Sequence, residues 1–284
     1  MIGIEIILHD GPARLGRLHV NGSQVDTPSG CFFREVQGGH RLFDIGPEVA
    51  PVTLAVPPSP LVEPPPLDKV PGSQKGHLLV AAGEHQTRGK GKESGAQECS
   101  IIRLSDQALE PEPSTVGSGL VILEPGPQQD PVRLMEGIIE LRQKLSPNAA
   151  IMLADADVWS FPLFALVGAD LFGDSQATAS AWAGELLFES FSVPVEGIDR
   201  DACHCPFCGG GTQKAGRDVL GHNRWMTKKV LWEIRTNIRL RELKHLAEER
   251  CTRHPDLAAA LKILYRKHLS YLEQFTTVCP GVGP

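Results

Sequence analysis

The chain has 284 residues, a formal net charge of −6 and 22% charged residues, which are ordinary values for a globular protein. No apolar run approaches the roughly 18 residues that a membrane span needs, and residues 1–10 lack the basic flank and cleavage site of a signal peptide. These features argue against a membrane or secreted protein, and we expect a cytoplasmic protein of one large domain or two small ones.

The beginning of the chain is predicted to form β structure. Ile2 to Leu8 is a β-branched apolar run, residues 10–12 are a turn signal, and residues 14–20 alternate before Asn21-Gly22. Asn-Gly between two such runs is typical of a two-residue β-hairpin. We therefore expect a small N-terminal β element.

Proline and glycine dominate the next part of the chain, about residues 47–118. Prolines are concentrated in residues 47–71, and glycine and charged residues dominate residues 72–100. We interpret residues 57–76 and 83–98 as irregular loops, because such sequences bury little apolar surface.

From residue 119 the pattern alternates between strand and helix. Strands are predicted at 119–123, 149–154 and 169–172, and helices at 131–145, 161–168 and 175–187. This alternation predicts βαβ units on a parallel sheet, and therefore an α/β fold. Glu124, Asp155 and Asp174 each follow a strand, which favours a TIM-barrel-like (β/α) barrel, complete or incomplete, because barrel chemistry lies where strands run into loops. Taken singly, each carboxylate is more typical of a helix cap or a solvated turn.

The C-terminal quarter is basic and helical. Residues 203–270 contain 14 Lys and Arg against 6 Asp and Glu, a net charge of +8. Contacts with nucleic-acid phosphates require a cluster of basic residues such as this one, although a helical surface exposed to solvent can have the same composition. Residues 219–270 are predicted as two long helices, broken near Arg253-His254-Pro255. Their apolar stripe, interpreted as core, contains Trp225, Trp232, Ile234, Ile238 and Leu243.

Three of the seven cysteines, Cys203, Cys205 and Cys208, lie within six residues. The other four are scattered, so a disulfide framework is not expected. Three thiolates and one imidazole suit Zn²⁺. His222 is the favoured fourth ligand, and His204 and His254 are the alternatives. Four protein ligands would close the coordination shell, so the predicted zinc site is structural and not catalytic.

Four sequence motifs occur in order along this chain. They are Asp10-Gly11-Pro12-Ala13-Arg14-Leu15-Gly16-Arg17 with Val25-Asp26-Thr27-Pro28, residues 168–175 (GADLFGDS), Cys-x-Cys-x2-Cys with His222-Asn223, and Glu249-Arg250-Cys251-Thr252-Arg253-His254-Pro255. Together they resemble the archaeal branch of the tRNA-guanine transglycosylase family, and most closely the amino-terminal, transglycosylase-like part of archaeosine synthase. The resemblance implies a transglycosylase-like α/β barrel at residues 1–200, a zinc-binding helical subdomain at residues 201–284, and action on tRNA. The proline- and glycine-rich loops at about 47–118 fall within the barrel part.

The catalytic positions depart from the family pattern. The D-S-G-[GS]-F-Q loop, which supplies a general acid/base aspartate, does not occur in this sequence. The family's nucleophilic aspartate falls on Gly173, and only a shift of one residue brings Asp174 into register. Base exchange needs a carboxylate nucleophile and a second group that handles protons, so we expect exchange to be lost.

Three functions are compatible with these residues. The favoured one is a tRNA modification component of the archaeosine (7-deazaguanine) pathway that binds zinc, lacks exchange activity, and works with a second protein chain carrying the synthase or tRNA-binding module. The second is an active transglycosylase with Asp174 as nucleophile and Asp155 or Asp157 as acid/base. The third is a non-enzymatic scaffold or interaction subunit. The expected tRNA contacts are Lys228, Lys229 and Arg235.

Overall fold

The computed structural model describes residues 2–20, 23–37, 40–45, 52–56, 78–80, 99–103, 119–124, 130–198, 203–208 and 218–275. The loops predicted at 57–76 and 83–98 lie outside these residues. In the described ranges, no helix has the length and apolar character needed to cross a membrane.

The described chain is a mixed α/β fold. Its strands are β1 (Ile2–Asp10), β2 (Ala13–Val20), β3 (Ser23–Thr27), β4 (Ser29–Gln37), β5 (His40–Ile45), β6 (Val52–Val56), β7 (Leu78–Val80), β8 (Cys99–Arg103), β9 (Leu120–Glu124), β10 (Ala150–Leu153), β11 (Leu171–Gly173), β12 (Glu185–Leu187) and β13 (Ser192–Pro194). Its helices are α1 (Pro131–Lys144), α2 (Phe161–Leu166), α3 (Ser175–Trp182), α4 (Val219–Leu240), α5 (Leu243–Cys251), α6 (Pro255–Lys267) and α7 (Leu269–Gln274).

The predicted N-terminal β element is confirmed. Strands β1, β2 and β3 form an antiparallel sheet in that order. Gly11 has a φ of 60° in the turn between β1 and β2, a conformation that glycine adopts without steric cost. The pairing of Val20 with Ser23 agrees with the predicted hairpin, whose two turn residues lie outside the described part.

The central sheet has the strand order β7-β6-β5-β4-β11-β10-β9-β8. Strands β8, β9, β10, β11 and β4 are parallel to one another, as the alternating helix and strand pattern predicts. Strand β5 is antiparallel to both of its neighbours. Strands β7 and β8 are the two edges among the described strands, so these strands do not by themselves close a barrel.

Both faces of strands β9, β10 and β11 are buried, which is why their sequences are continuous apolar runs. In β9, Leu120 and Ile122 pack in one cluster with Leu18 and Val20 of the N-terminal sheet. The intervening β9 residues belong to a second cluster that includes side chains of α1, α2 and α4–α6. The central sheet is therefore the middle layer of the fold.

The helix predicted at 175–187 is too long. Helix α3 ends at Trp182, and Gly184 has a φ of 72°, which stops helical continuation. Residues 185–187 form β12, which pairs with β13 in an antiparallel hairpin. The apolar residues of β12 happen to fit the helical spacing, although they face the core from a strand.

The prediction of two long C-terminal helices is wrong in their number, whereas the predicted break near residues 253–255 is confirmed between α5 and α6. Helix α4 ends before Arg241, a non-glycine residue with a φ of 60°, and α5, α6 and α7 follow as separate helices. Of the predicted apolar stripe, Trp232 is 60% exposed and Trp225 is part-buried, whereas the other three residues are buried in the core.

A buried charge network lies at the amino ends of the parallel strands. Arg14 donates to the Asp170 carboxylate from Nε (3.0 Å) and Nη2 (2.6 Å), and Arg142 also donates to it. The backbone N–H of Ile151 donates to the same carboxylate at 2.8 Å, and the carbonyl of Ala149 accepts from both arginines. Burial lowers the pKa of Arg142 to about 10, which leaves this guanidinium charged at neutral pH. Arg14 and Asp170, which belong to two of the sequence motifs, thus join the N-terminal sheet to β11.

Removing the buried negative charge tests this network. Asp170→Asn leaves two arginines without a counter-charge, and we expect the free energy of unfolding to fall by about 3–5 kcal/mol. The matched control is Asp26→Asn, because Asp26 is 71% exposed in a surface ion pair with Arg17 and should change stability by no more than about 0.5 kcal/mol. Urea denaturation measures both variants, and equal midpoints would contradict the role of Asp170.

Candidate metal centre and strand-edge carboxylates

The four residues predicted as a metal site lie together. The ligand atoms of Cys203, Cys205, Cys208 and His222 are all within 4.8 Å of one another. His222 Nδ1 is 3.4, 3.2 and 3.3 Å from the three sulfurs, in that order. A tetrahedral Zn²⁺ shell with Zn–S near 2.3 Å and Zn–N near 2.0 Å would have sulfur–nitrogen edges of about 3.6 Å. This cluster can therefore hold a metal ion with little movement.

The hydrogen bond made by the second ring nitrogen of His222, Nε2, determines which of the two nitrogens carries the proton. Nε2 lies 2.8 Å from the backbone carbonyl of Leu187 in β12 and donates its proton there. Nδ1 is then unprotonated and available to a cation. Donation from a ligating histidine to a carbonyl is the usual support for a protein metal site.

A nearby positive charge is needed before all three cysteine thiols can lose their protons. Burial and the neighbouring thiols of Cys205 and Cys203 raise the pKa of Cys208 to about 12. Thiolates bind metals and thiols do not, so a cation must offset the charge before all three can ionise.

The local fold around α4 orients His222. Asp218 caps the helix by accepting from the Gly221 N–H at 2.8 Å. The next residue after the ligand, Asn223, is fully buried; its Oδ1 accepts from the Leu187 N–H at 2.9 Å, and its Nδ2 donates to the carbonyls of Ala177 and Glu185. The His222-Asn223 pair therefore ties the start of α4 to α3 and to the β12–β13 hairpin.

The alternative histidines are not part of this cluster. His204 is exposed, as expected for a residue between two ligands. The ring of His254 stacks on Trp159, with centroids 5.1 Å apart. Cys31 and Cys251 are buried elsewhere in the fold.

Asp174 directly follows β11, at its carboxyl end. An aspartate at position 173 could not take its place. A Cβ atom on Gly173 would collide with the backbone carbonyl oxygen of Ala154 in the neighbouring strand connection. The backbone therefore admits only glycine at 173. The carboxylate nearest to the family's nucleophile position is that of Asp174, one residue further along.

The Asp174 carboxylate is buried and paired. Its side chain is 0% exposed, and its Oδ2 accepts from Arg224 Nε at 2.8 Å. Arg224 lies on α4, two residues after the ligand His222. Burial and the nearby Asp174 charge raise the pKa of the Cys31 thiol well above its ordinary value. Sequence reasoning missed Arg224, because nothing in its local pattern indicates a partner 50 residues earlier.

The other proposed acid/base carboxylates face a different space. Asp155 and Asp157 line a cavity of about 230 Å³ together with Trp159 and His254. Burial raises the pKa of Asp157, although His254 and the Trp159 indole oppose that shift. Asp174 is not among the described residues that line this cavity. Asp155 and Asp157 therefore share this cavity with each other and not with Asp174.

The predicted tRNA contacts on α4 have unequal environments. Lys228 and Lys229 are exposed. Arg235 is part-buried and donates from Nη1 to the carbonyl of Pro28 at 2.7 Å. Arg250 of the last motif is buried and makes a bidentate contact with Glu233 at 3.0 and 2.8 Å. Arg235 and Arg250 therefore hold the fold together through contacts with buried or backbone groups.

Comparison with known proteins gives archaeal matches. The chain is 27% identical over 186 residues to tRNA-guanine(15) transglycosylase of Pyrococcus abyssi, 62% of this chain and 31% of that protein. It is 28% identical over 122 residues to archaeosine synthase of Methanocaldococcus jannaschii, 43% of this chain and 19% of that protein. The tRNA-guanine(15) transglycosylase of M. jannaschii is 32% identical over 130 residues, 42% of this chain and 20% of that protein. No protein-family model matches the chain. The chain is thus similar to archaeal transglycosylases and archaeosine synthase, and it spans less than a third of their length.

The ligand assignment can be tested by removing one thiolate. Cys205→Ser should reduce bound metal from an equimolar amount to a trace and unfold residues 203–250, because metal-binding free energy is folding free energy in such sites. Cys251→Ser is the matched control, since Cys251 is equally buried but outside the cluster, and it should keep the metal. Metal analysis by mass spectrometry checks both; full metal content in Cys205→Ser would refute the assignment.

The Asp174–Arg224 pair can be tested through stability. Arg224→Ala leaves a buried carboxylate without its charged donor, so the free energy of unfolding should fall by about 2 kcal/mol. Arg239→Ala, an exposed arginine on the same helix, should change it by no more than about 0.5 kcal/mol. The pairing would be wrong if chemical denaturation gave the same midpoint for both variants.

Proposed function

We propose that this chain is a tRNA modification component of the archaeosine pathway, similar to the amino-terminal part of archaeosine synthase and without base-exchange activity of its own. Two findings support the proposal. The matched relatives carry the names tRNA-guanine(15) transglycosylase and archaeosine synthase. The residues that carry the resemblance include a Cys3His cluster and the buried Arg14–Asp170 pair.

We propose that the metal is zinc and that its role is structural. Three thiolates and one neutral imidazole favour Zn²⁺ over hard cations such as Mg²⁺ or Ca²⁺. With four protein ligands no position is open to substrate. The ion would hold the loop at residues 203–208 against α4, and α4 carries the Arg224 partner of Asp174.

The loss of exchange rests on the burial and pairing of Asp174. In base exchange a carboxylate attacks C1′ of the ribose, the glycosidic bond breaks, and the departing guanine takes the bonding electron pair and then a proton. A side chain that is 0% exposed and bonded to Arg224 cannot reach a ribose carbon without rearrangement. This single observation carries the proposal that Asp174 does not act as a nucleophile.

The barrel and the domain division are parts of the same proposal. We propose that the parallel strands β8–β11 and β4 are the retained part of a (β/α) barrel within residues 1–200, and that residues 201–284 form the zinc-binding helical subdomain. A second protein chain would supply the synthase or tRNA-binding module. Lys228 and Lys229 are the proposed phosphate contacts of this chain, and Arg235 supports them through its contact with Pro28.

One observation favours the alternative of an active transglycosylase. Asp155 and Asp174 follow the neighbouring parallel strands β10 and β11, so both lie at the edge of the sheet where barrel enzymes place their catalytic groups. An active enzyme would need Arg224 to release Asp174 when tRNA binds.

Incorporation of labelled guanine into tRNA separates these functions. We expect the metal-loaded chain to give no more incorporation than a sample without protein, while an active archaeal transglycosylase serves as the positive control. Binding of the same tRNA by the chain should still be measurable and should weaken with salt. Incorporation that disappears in Asp174→Asn would establish the active alternative, and absence of any tRNA affinity would refute the proposed function.

A further inference from the structure

A groove next to the metal cluster is not explained by the functions considered so far. It has a volume of about 380 Å³ and lies between the β12–β13 loop, the cysteine loop and α4. Five of the side chains that line it are Phe188, Phe191, Trp225, Lys229 and Arg253.

The groove has an aromatic wall. Phe191 is 52% exposed, so its ring is accessible from the groove. Its ring stacks on Phe188, with centroids 5.0 Å apart. Phe188 in turn meets the edge of the His222 ring at 5.5 Å. The metal ligand therefore supports the aromatic wall from behind.

A buried arginine holds the same loop in place. Arg250 forms an ion pair with Glu189 (Nη2 to Oε2, 3.0 Å) and donates from Nη1 to Ser190 Oγ at 3.3 Å. Because Glu189 and Ser190 lie between the two phenylalanines, their contacts restrict the ring positions. The wall is thus arranged before any ligand arrives.

Positive charge surrounds the aromatic wall. Lys229 lies 6.0 Å from the ring of Trp225 on the other side of the groove, and Arg253 stands at its rim. Helix α4 carries five basic residues and one acidic residue. Lys229 pairs with Glu189, and Arg253 pairs with Glu249 at 3.0 Å. Ion pairs that are at least partly exposed contribute little, so Lys229 and Arg253 can turn from these carboxylates to a phosphate at modest cost, while Glu189 keeps its contact with Arg250.

We propose that this groove binds an unpaired nucleotide of RNA, with the base stacked on Phe191 and the adjacent phosphates held by Lys229 and Arg253. Exposed aromatic rings beside lysine and arginine are the arrangement by which proteins bind single-stranded nucleic acid. The net positive helix favours a polyanion over a neutral or basic protein surface. The inference rests on the proposed action on tRNA and assigns the surface that an unpaired part of the tRNA would occupy.

The test measures binding of an unmodified tRNA transcript and of a short single-stranded RNA by fluorescence anisotropy across a salt series. Phe191→Ala should weaken both affinities about tenfold and leave the salt dependence unchanged, because stacking involves no charge. Phe191→Tyr should retain wild-type affinity. Lys229→Gln should reduce the slope of log affinity against log salt by about one.

Trp232→Ala is the matched control. Trp232 is the more exposed aromatic residue, at 60%, and lies on the same helix as Trp225, but it does not line the groove. We expect wild-type RNA affinity for this variant. Metal content and melting temperature report whether each variant is folded, and Phe191→Leu replaces Phe191→Ala if the latter is not.

Each outcome separates this inference from the proposed function. If wild type binds tRNA and the folded Phe191→Ala or Phe191→Leu variant binds equally well, the groove assignment is wrong and the proposed function survives. If Trp232→Ala weakens RNA binding as much as Phe191→Ala, the groove assignment is also overturned. If Phe191→Ala self-associates more weakly than wild type in sedimentation and its RNA affinity is unchanged, the groove is a contact between copies of this chain. Failure of wild type to bind any RNA would overturn both proposals.

Discussion

The buried carboxylate of Asp170 is the interaction on which the rest of the structure depends. Arg14 reaches it from the N-terminal sheet and Arg142 from α1, and none of these three side chains is more than 7% exposed. Such charges can be buried together only because the guanidinium groups also donate to backbone carbonyls. Three segments that are distant in sequence are thereby fixed at the amino ends of the parallel strands. These contacts fix how the strands are aligned with one another. The alignment in turn sets the positions of their carboxyl ends, where Asp174 lies.

Charge is arranged differently at the carboxyl edge of the same sheet. There Asp174 has its cationic partner on α4, the helix that His222 connects to the cysteine cluster. The metal cluster, α4 and the strand-edge carboxylate therefore form one connected unit. We propose that a metal ion bound by this cluster would order α4, hold Arg224 against Asp174 and support the Phe188–Phe191 wall through His222. In that proposal the ion organises a surface, keeps Asp174 from acting as a nucleophile and takes no part in chemistry.

Local signals in the sequence were sufficient to predict part of this structure. The cysteine spacing indicated the metal cluster, and apolar runs indicated the parallel strands, because both depend on residues close in sequence. The ion pairs could not be predicted in this way, since Arg14 and Asp170 are 156 residues apart and nothing in the local sequence of either residue indicates the other. The helix end at Arg241 was missed for a related reason: a left-handed arginine carries no signal of the kind that glycine gives. Gly184 did carry that signal, but the apolar residues after it concealed the change from helix to strand.

Denaturing electrophoresis of the metal-loaded chain with labelled tRNA, in the absence of free base, tests most directly whether Asp174 acts as a nucleophile. A carboxylate that attacks C1′ and expels guanine remains covalently joined to the tRNA until a base returns. We expect all tRNA to migrate free of protein after denaturation, although the same mixture shows a complex under native conditions. A covalent protein–tRNA band that is absent with Asp174→Asn would contradict the structural role assigned to the Asp174–Arg224 pair.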